Sequence, residues 1–212
     1  GHHGRLETPI VAAERAVAQV SEDAMSDFNH NIGYQANGER AVRLLLESIG
    51  EDPTREGLQD TPRRMVKMLM ELCHREEFKF TTFASEGMSE MIVQSNIPMS
   101  SLCEHHVLPF IGTAAVAYIP NGKIVGLSKL TRAVQYCSRG LQNQERITKA
   151  IADMLEKNLQ PEGLGVVIKA RHLCMELRGV CAPNVWTTTS SMRGTLLTEA
   201  SSRAEFLALA RG

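Results

Sequence analysis

One stretch decides how the rest of this sequence is interpreted: SSLCEHHVLPF, residues Ser100 to Phe110. Within it, Cys103 and His106 form a C-x-x-H pair, a spacing that lets two side chains of one tight turn reach the same ion. Far along the chain, Cys174 offers a third soft ligand. Three nitrogen and sulfur ligands without an evident fourth are typical of a catalytic zinc site, in which water takes the open position.

Two further histidines lie beside these ligands without being needed as ligands. His105 and His172 carry imidazoles that titrate near neutral pH, which suits acid–base chemistry next to a metal. Two other interpretations of the cysteines stay open at this point. A buried free cysteine often behaves as a small hydrophobic side chain, and Cys103 and Cys174 could form a disulfide, against which a reducing compartment argues.

The composition narrows the class of protein. The chain has 212 residues and a formal net charge of -1, which suits one domain, or one domain with a helical appendage. Without a basic excess, nucleic-acid binding is not indicated. Five cysteines without a disulfide-framework spacing suit the cytosol, and no apolar run reaches the length of a membrane span. We therefore expect a cytoplasmic protein that binds neither nucleic acid nor membranes.

Hydrophobic periodicity predicts a helical first third followed by mixed strands and helices. The Asn121-Gly122 dipeptide predicts a hairpin between two adjacent strands. The order of elements indicates an α+β fold, an antiparallel sheet with helices on one face. The predicted helices are 10–20, 39–49, 61–72, 130–138, 145–159 and 203–210, and the predicted strands are 91–94, 112–120, 164–170 and 185–191.

The same pattern divides the chain into three parts. Residues 1–37 are predicted to be a tag remnant, Gly1 to Gly4, followed by a mobile N-terminal arm in which 21–38 reads as a linker. Residues 38–80 form a helical region. Residues 81–212 form the catalytic domain.

Several polar residues could handle an anionic or purine substrate. Basic residues near helix starts are suited to anions, although each alone has the character of a solvated surface charge. Gln144 and Glu145 could recognise the edge of a purine, but the residues alone favour a helix start in which polar side chains satisfy the first turn. The basic candidates, with a neighbouring serine, are Arg64, Ser128, Lys129, Arg132 and Arg178.

Several motifs, taken together, resemble those of GTP cyclohydrolase I. They occur in the family's order and cover roughly residues 40 to 210, so the combination is far more specific than any one motif. The matching segments are Asp60 to Arg64, Cys103 to His106, Ala117 to Gly122, Gly126 to Leu130, Gln142 to Arg146, His172 to Cys174 and Arg178 to Val180.

This resemblance implies an activity, a cofactor and an assembly. The family converts GTP and water to 7,8-dihydroneopterin triphosphate and formate, the first step of pterin and tetrahydrofolate biosynthesis. It uses a T-fold domain preceded by N-terminal helices, assembled as a homodecamer whose active sites lie between subunits. Zn²⁺ would be held by Cys103, His106 and Cys174 and would lower the pKa of water for attack on C8 of guanine.

The resemblance also implies roles for the other candidates. His172 would protonate the purine, His105 would serve the later acid–base steps, and Ser128 would handle the ribose. Gln144 and Glu145 would recognise guanine. The triphosphate would be bound by Arg64, Lys129, Arg132 and Arg178, with Arg139 a weaker candidate.

Some positions depart from the family pattern, and two relatives remain as alternatives. Asn143 replaces a usual apolar residue, and Gly140, Thr113 and Leu196 also differ. None of these changes removes a metal ligand or a predicted acid–base group. A catalytically silent nucleotide-binding paralogue would be expected to lose one of those residues. A nitrile-reducing relative would be expected to lack the Cys-His-Cys set.

Overall fold

The computed structural model describes residues 32–211, which form two compact units that divide between Glu71 and Leu72. The predicted helix 10–20, the tag remnant and most of the predicted arm lie outside the described residues. Among the helices in 32–211, none combines the length and apolar character required to cross a membrane. The two units are described separately below.

The first unit is helical. It contains α1 (Ile32–Ser48), a short 3₁₀ helix (Glu56–Leu58) and most of α2 (Thr61–Cys73). Helix α1 begins at Ile32, inside the segment predicted as a linker, so that prediction is wrong for its last residues. The side-chain hydrogen bond from Gln35 to Glu39, 3.2 Å long and four residues apart, supports the additional turn.

The second unit is built on a five-stranded sheet in the order β5-β2-β3-β6-β7. All neighbours are antiparallel except β2 and β5, which are parallel. The fold is thus α+β with a largely antiparallel sheet, as predicted. The strands are β1 (Thr82–Ala84), β2 (Ile92–Cys103), β3 (Pro109–Ile119), β4 (Lys123–Val125), β5 (Leu141–Gln142), β6 (Gly163–His172) and β7 (Thr187–Gly194).

The predicted hairpin at Asn121-Gly122 is wrong in its partner strand. The turn is present, and Gly122 has the positive φ of 73° that favours glycine. Strand β4, however, pairs with β1 and not with β3. The backbone N–H of Val125 donates to the hydroxyl of Tyr118, at 3.0 Å, so a side chain of β3 takes the place of a ladder bond.

Helices cover both faces of the sheet. On one face, α3 (Leu127–Ser138) and α4 (Gln144–Leu159) bury the main core against alternate residues of β3 and β6. On the other face, α6 (Thr195–Thr198) and α7 (Ala200–Leu209) form a smaller core with Ala115 and Ala117. The prediction of helices on one face is therefore incomplete. Gly165 permits the second layer, because a Cβ there would lie 2.6 Å from the Phe206 ring.

Candidate metal centre

Sheet pairing brings the three predicted metal ligands to one end of the sheet. Cys103 is the last residue of β2, and Cys174 lies in α5 (Leu173–Glu176) directly after β6. Strand β3 lies between β2 and β6 and pairs with each of them. Leu102 of β2 is opposite Pro109, and His172 of β6 is opposite Phe110. The ligand atoms of Cys103, His106 and Cys174 all lie within 4.8 Å of one another. The residues between 103 and 174 are thus folded back so that the ligands form one cluster.

A tight turn aims His106 at this cluster. The backbone N–H of Cys103 donates to the carbonyl of Leu108, and that of Val107 donates to the carbonyl of Cys103, both at 2.8 Å. Val107 takes a φ of 56° to close the turn. A β-branched residue is strained in this left-handed region, and such strain is typically found at functional sites.

Both cysteines of the cluster are free thiols. Cys103 is buried and Cys174 is partly buried. Burial, and then the adjacent Cys103, raise the pKa of the Cys174 thiol above its ordinary value. A bound cation would reverse this effect on Cys174, since a coordinating thiol is deprotonated. The donor set therefore fits a soft or borderline metal.

Two further side chains contact residues of the cluster. The His105 Nδ1 is 3.6 Å from the Cys103 sulfur, and the His105 side chain is 68% exposed. A guanidinium nitrogen of Arg178 lies 2.9 Å from His106 Nε2. Arginine only donates, so His106 Nε2 accepts in this hydrogen bond. A cationic group predicted to bind phosphate therefore contacts a predicted metal ligand directly.

Glu104, between the ligands, ties the turn to the start of α4. The Arg146 guanidinium donates two hydrogen bonds, of 2.7 and 3.2 Å, to the Glu104 carboxylate. The Asn143 amide donates a third, of 3.0 Å. Arg146 and then Asn143 hold the pKa of Glu104 below its usual range. Asn143 also caps α4 by accepting from the Arg146 backbone N–H. Sequence analysis missed this Glu104 network (Glu104, Asn143 and Arg146), although Asn143 stood out as unusual.

His172 occupies a well-defined position behind the ligands. Its ring stacks on Phe110, with centroids 4.6 Å apart and planes at 5°, and its Nε2 lies 2.9 Å from Gln144 Oε1. Burial lowers the pKa of His172, and the Glu145 carboxylate opposes that shift. Gln144 is only 1% exposed, and its amide nitrogen donates to protein acceptors. The predicted contact of Gln144 with guanine stays a prediction.

Glu145, by contrast, faces open space. It is exposed, and it lines a cavity of about 250 Å³ between α4 and β7. Hydroxyl groups dominate the rest of the lining, which consists of Thr148, Lys149, Thr189, Ser190 and Ser191. A larger cavity of about 550 Å³, which includes Lys169 and Trp186, contains none of the predicted site residues. The volume of a cavity therefore does not identify the functional site in this protein.

The elements that carry the remaining basic candidates give their positions in the fold. Ser128, Lys129 and Arg132 lie in the first two turns of α3, and Arg139 lies directly after that helix. Across residues 32–211, no hydrogen bond or ion pair joins them to the metal ligands. Arg64 belongs to the first unit, where its guanidinium pairs with Asp60 at 3.2 Å.

Comparison with known proteins identifies the family. The profile described as GTP cyclohydrolase I matches residues 38–211. The chain belongs to the GTP cyclohydrolase I family. This confirms the enzyme class predicted from the motifs, a GTP cyclohydrolase, which is a hydrolase of pterin and folate biosynthesis. The family is metal-dependent, and the Cys-His-Cys cluster is able to bind a metal.

Curated relatives named GTP cyclohydrolase 1 agree over most of their length. The Aquifex aeolicus (strain VF5) protein is 51% identical over 174 residues, which are 82% of this chain and 95% of the relative. The Hydrogenobaculum sp. (strain Y04AAS1) protein is 50% identical, covering 80% and 94%. The Synechococcus sp. (strain JA-3-3Ab) protein is 45% identical over 207 residues, covering 92% and 90%.

Proposed function

We propose that this chain opens the imidazole ring of GTP hydrolytically at a zinc site formed by Cys103, His106 and Cys174. The products would be formate and 7,8-dihydroneopterin triphosphate. One observation carries the proposal: two sulfur ligands and one imidazole lie within 4.8 Å of one another at the end of the sheet. Three such ligands are the protein contribution typical of a catalytic zinc. When bound there, zinc supplies Lewis-acid chemistry for hydrolysis at neutral pH.

The two histidines outside the ligand set act on protons. His172, held between Phe110 and Gln144, donates a proton to the purine and makes C8 more electrophilic. His105 is largely exposed at the mouth of the cluster, where it can exchange protons with the opened ring. Ser128 handles the ribose during the rearrangement that closes the pterin ring.

Recognition of GTP divides between a carboxylate and a set of cations. Glu145 accepts from the adjacent N–H groups of guanine in its cavity, and Gln144 supports the same site. Arg178 and three further cations bind the triphosphate. The bond from Arg178 to His106 puts one of them next to the metal ligands. The other three are Arg64, Lys129 and Arg132.

The resemblance to the family supports a site that is shared between chains. Lys129, Arg132 and Ser128 lie on α3, and no described hydrogen bond or ion pair links them to the ligand cluster in the same chain. We therefore propose a T-fold homodecamer in which neighbouring subunits complete each site. Within each chain, 1–37 would be an arm, 38–80 the helical region and 81–212 the T-fold domain. The free cysteines suit a cytoplasmic location.

Incubation with GTP tests the proposal. The purified, zinc-loaded protein should release one formate per GTP consumed, and oxidation of the product should yield the fluorescence of a pterin. Binding of zinc and GTP without release of formate would indicate a catalytically silent paralogue. Size measurement of the same preparation should give about ten chains per particle, and an active monomer would contradict the shared site.

A further inference from the structure

We propose that Gln144 is a positioning residue that keeps a hydrogen on His172 Nε2 and orients the ring, so that the protonated ring donates its other hydrogen, on Nδ1, to the substrate. The proposal rests on the acid–base role of His172 proposed above, and it deepens that role by naming the atom. The proposal also gives different roles to Gln144 and Glu145, the two residues predicted to recognise guanine. Glu145 reads the base, whereas Gln144 acts through His172.

The orientation of the Gln144 amide follows from its neighbours. Its Nε2 lies 3.1 Å from the carbonyl oxygen of Ile168 and 3.1 Å from that of Thr187. Carbonyl oxygens only accept hydrogen bonds, so the opposite orientation would press Oε1 against two acceptors in a buried site. The NH₂ group must face the two carbonyls, and Oε1 must therefore face His172.

A short chain of hydroxyl groups agrees with this orientation. The Thr148 hydroxyl uses its one hydrogen on the Gln144 backbone carbonyl, at 2.8 Å. The Thr189 hydroxyl, 2.7 Å from that of Thr148, must then be the donor between the two. Its oxygen is left to accept from Gln144 Nε2, at 3.1 Å, which requires that one of the two amide hydrogens be shared between two acceptors. Every hydrogen in the cluster points in a direction that keeps Oε1 as the acceptor for His172.

The consequence for His172 is direct. Because Oε1 can only accept, the His172 Nε2 that lies 2.9 Å away must carry a hydrogen. The Phe110 ring stacked on the imidazole holds its plane. Nδ1 is the nitrogen that this hydrogen bond leaves uncommitted. Gln144 itself is buried and engaged at both ends of its amide, so it supports the histidine and does not touch the base.

Neutron diffraction tests the hydrogen position without any mutation. Crystals of the full-length, zinc-loaded protein exchanged into D₂O should show deuterium on His172 Nε2, pointing at Gln144 Oε1. Deuterium on the Gln144 amide should point at the carbonyls of Ile168 and Thr187. A His172 without deuterium on Nε2 would overturn the proposal. This result does not depend on turnover, so it stands apart from the success or failure of the proposed reaction.

Kinetics of Gln144→Leu test the consequence for catalysis. Loss of the hydrogen bond that orients His172 should lower kcat about tenfold or more while KM for GTP changes by less than about threefold. Gln94→Leu is the matched control, since Gln94 is a half-buried glutamine that accepts a hydrogen bond from Thr131 in the same sheet unit. The control should leave both constants unchanged. A large rise in KM with kcat retained at Gln144→Leu would show direct contact with the base and refute the positioning role.

Discussion

The imidazole of His172 lies parallel to the ring of Phe110, with 4.6 Å between centroids and 5° between planes. The two residues are direct partners in the antiparallel pairing of β3 and β6. Phe110 is fully buried, so its ring is a fixed surface on which the His172 imidazole stacks. The proposed proton donor is thus oriented by the sheet itself.

Replacing Phe110 should lower the catalytic rate as well as the free energy of unfolding. Phe110→Leu keeps an apolar side chain but removes the stacked pair, which contributes about 0.5–1.5 kcal/mol beyond area burial. We expect a lower free energy of unfolding and a fall in kcat that exceeds the change in KM. Urea titration and steady-state kinetics measure the two effects.

Phe206→Leu is the control for Phe110→Leu. Phe206 is equally buried, but it belongs to the small core on the opposite face of the sheet. It should lose a similar amount of stability with kcat unchanged. Equal losses of kcat in the two variants would mean that the stack has no specific role.

The Glu104 network should set metal affinity. Arg146→Met removes the two hydrogen bonds that fix Glu104, whose neighbours in sequence include Cys103 and His106. Removing a residue that orients metal ligands typically lowers metal affinity by about 10–100-fold. We expect a loss of zinc affinity of about that size. Competition with a chromogenic chelator measures it. Lys157→Met, on the exposed last turn of the same helix, should retain the original affinity. If Arg146→Met kept the original metal affinity, the Glu104 network would be no more than a surface ion pair.

Sequence analysis predicted the Cys-His-Cys cluster because its residues are chemically distinctive. Cys103 and His106 share a four-residue motif, and Cys174 lies two residues after a histidine, so their residue types were informative before any fold was known. The helices α3 and α4 were also predicted closely, because each carries a strong apolar periodicity.

Other features depended on contacts that are distant in sequence. The partner of β4 is β1, some 40 residues earlier in the chain, and the Asn-Gly turn could indicate only that the chain reverses. Gln144 is buried because the acceptors Ile168 and Thr187 surround it. A polar residue at a helix start gives no sign of such burial. The Glu104 network similarly joins residues about 40 positions apart.

The ion pairs of Asp153 should make stability depend on pH in the acid range. Lys149 Nζ lies 2.6 Å from its carboxylate, the Arg193 guanidinium also contacts it, and both hold the pKa of Asp153 below its ordinary value. Because the folded-state pKa is depressed, this stabilisation is complete above the unfolded-state pKa of about 3.9. It is lost as the pH falls through the folded-state value. With 46% of the side chain exposed, the contribution is about 1 kcal/mol or less.

Asp153→Asn should therefore reduce the free energy of unfolding at pH 7 and reduce its loss upon acidification. Denaturant titrations at pH 7 and at about pH 3 measure both quantities for the variant and the starting protein. Arg193→Met, which removes the guanidinium contact from the other side, should change the pH dependence in the same direction. Parallel pH profiles in all three proteins would contradict this account.

Glu145 should determine the choice of purine. Glu145→Gln replaces one of two acceptor oxygens by a donor, which opposes the N–H groups of guanine. The ratio of kcat/KM for GTP to that for ITP, which lacks the exocyclic amino group, should fall by about tenfold or more. Glu162→Gln, at an exposed carboxylate before β6, is the matched control and should retain the ratio. Unchanged selectivity in Glu145→Gln would return this residue to a structural role at the helix start.

The most direct test of the central claim is zinc analysis combined with X-ray absorption at the zinc edge. Freshly reduced, active protein should contain about one zinc per chain, bound by two sulfurs and one imidazole, with no further protein ligand. Cys174→Ser should lose both the zinc and the release of formate, whereas Cys181→Ser, at an exposed free cysteine nearby in sequence, should retain both. Active protein without zinc, or a zinc ion enclosed by four protein ligands, would contradict the proposed site.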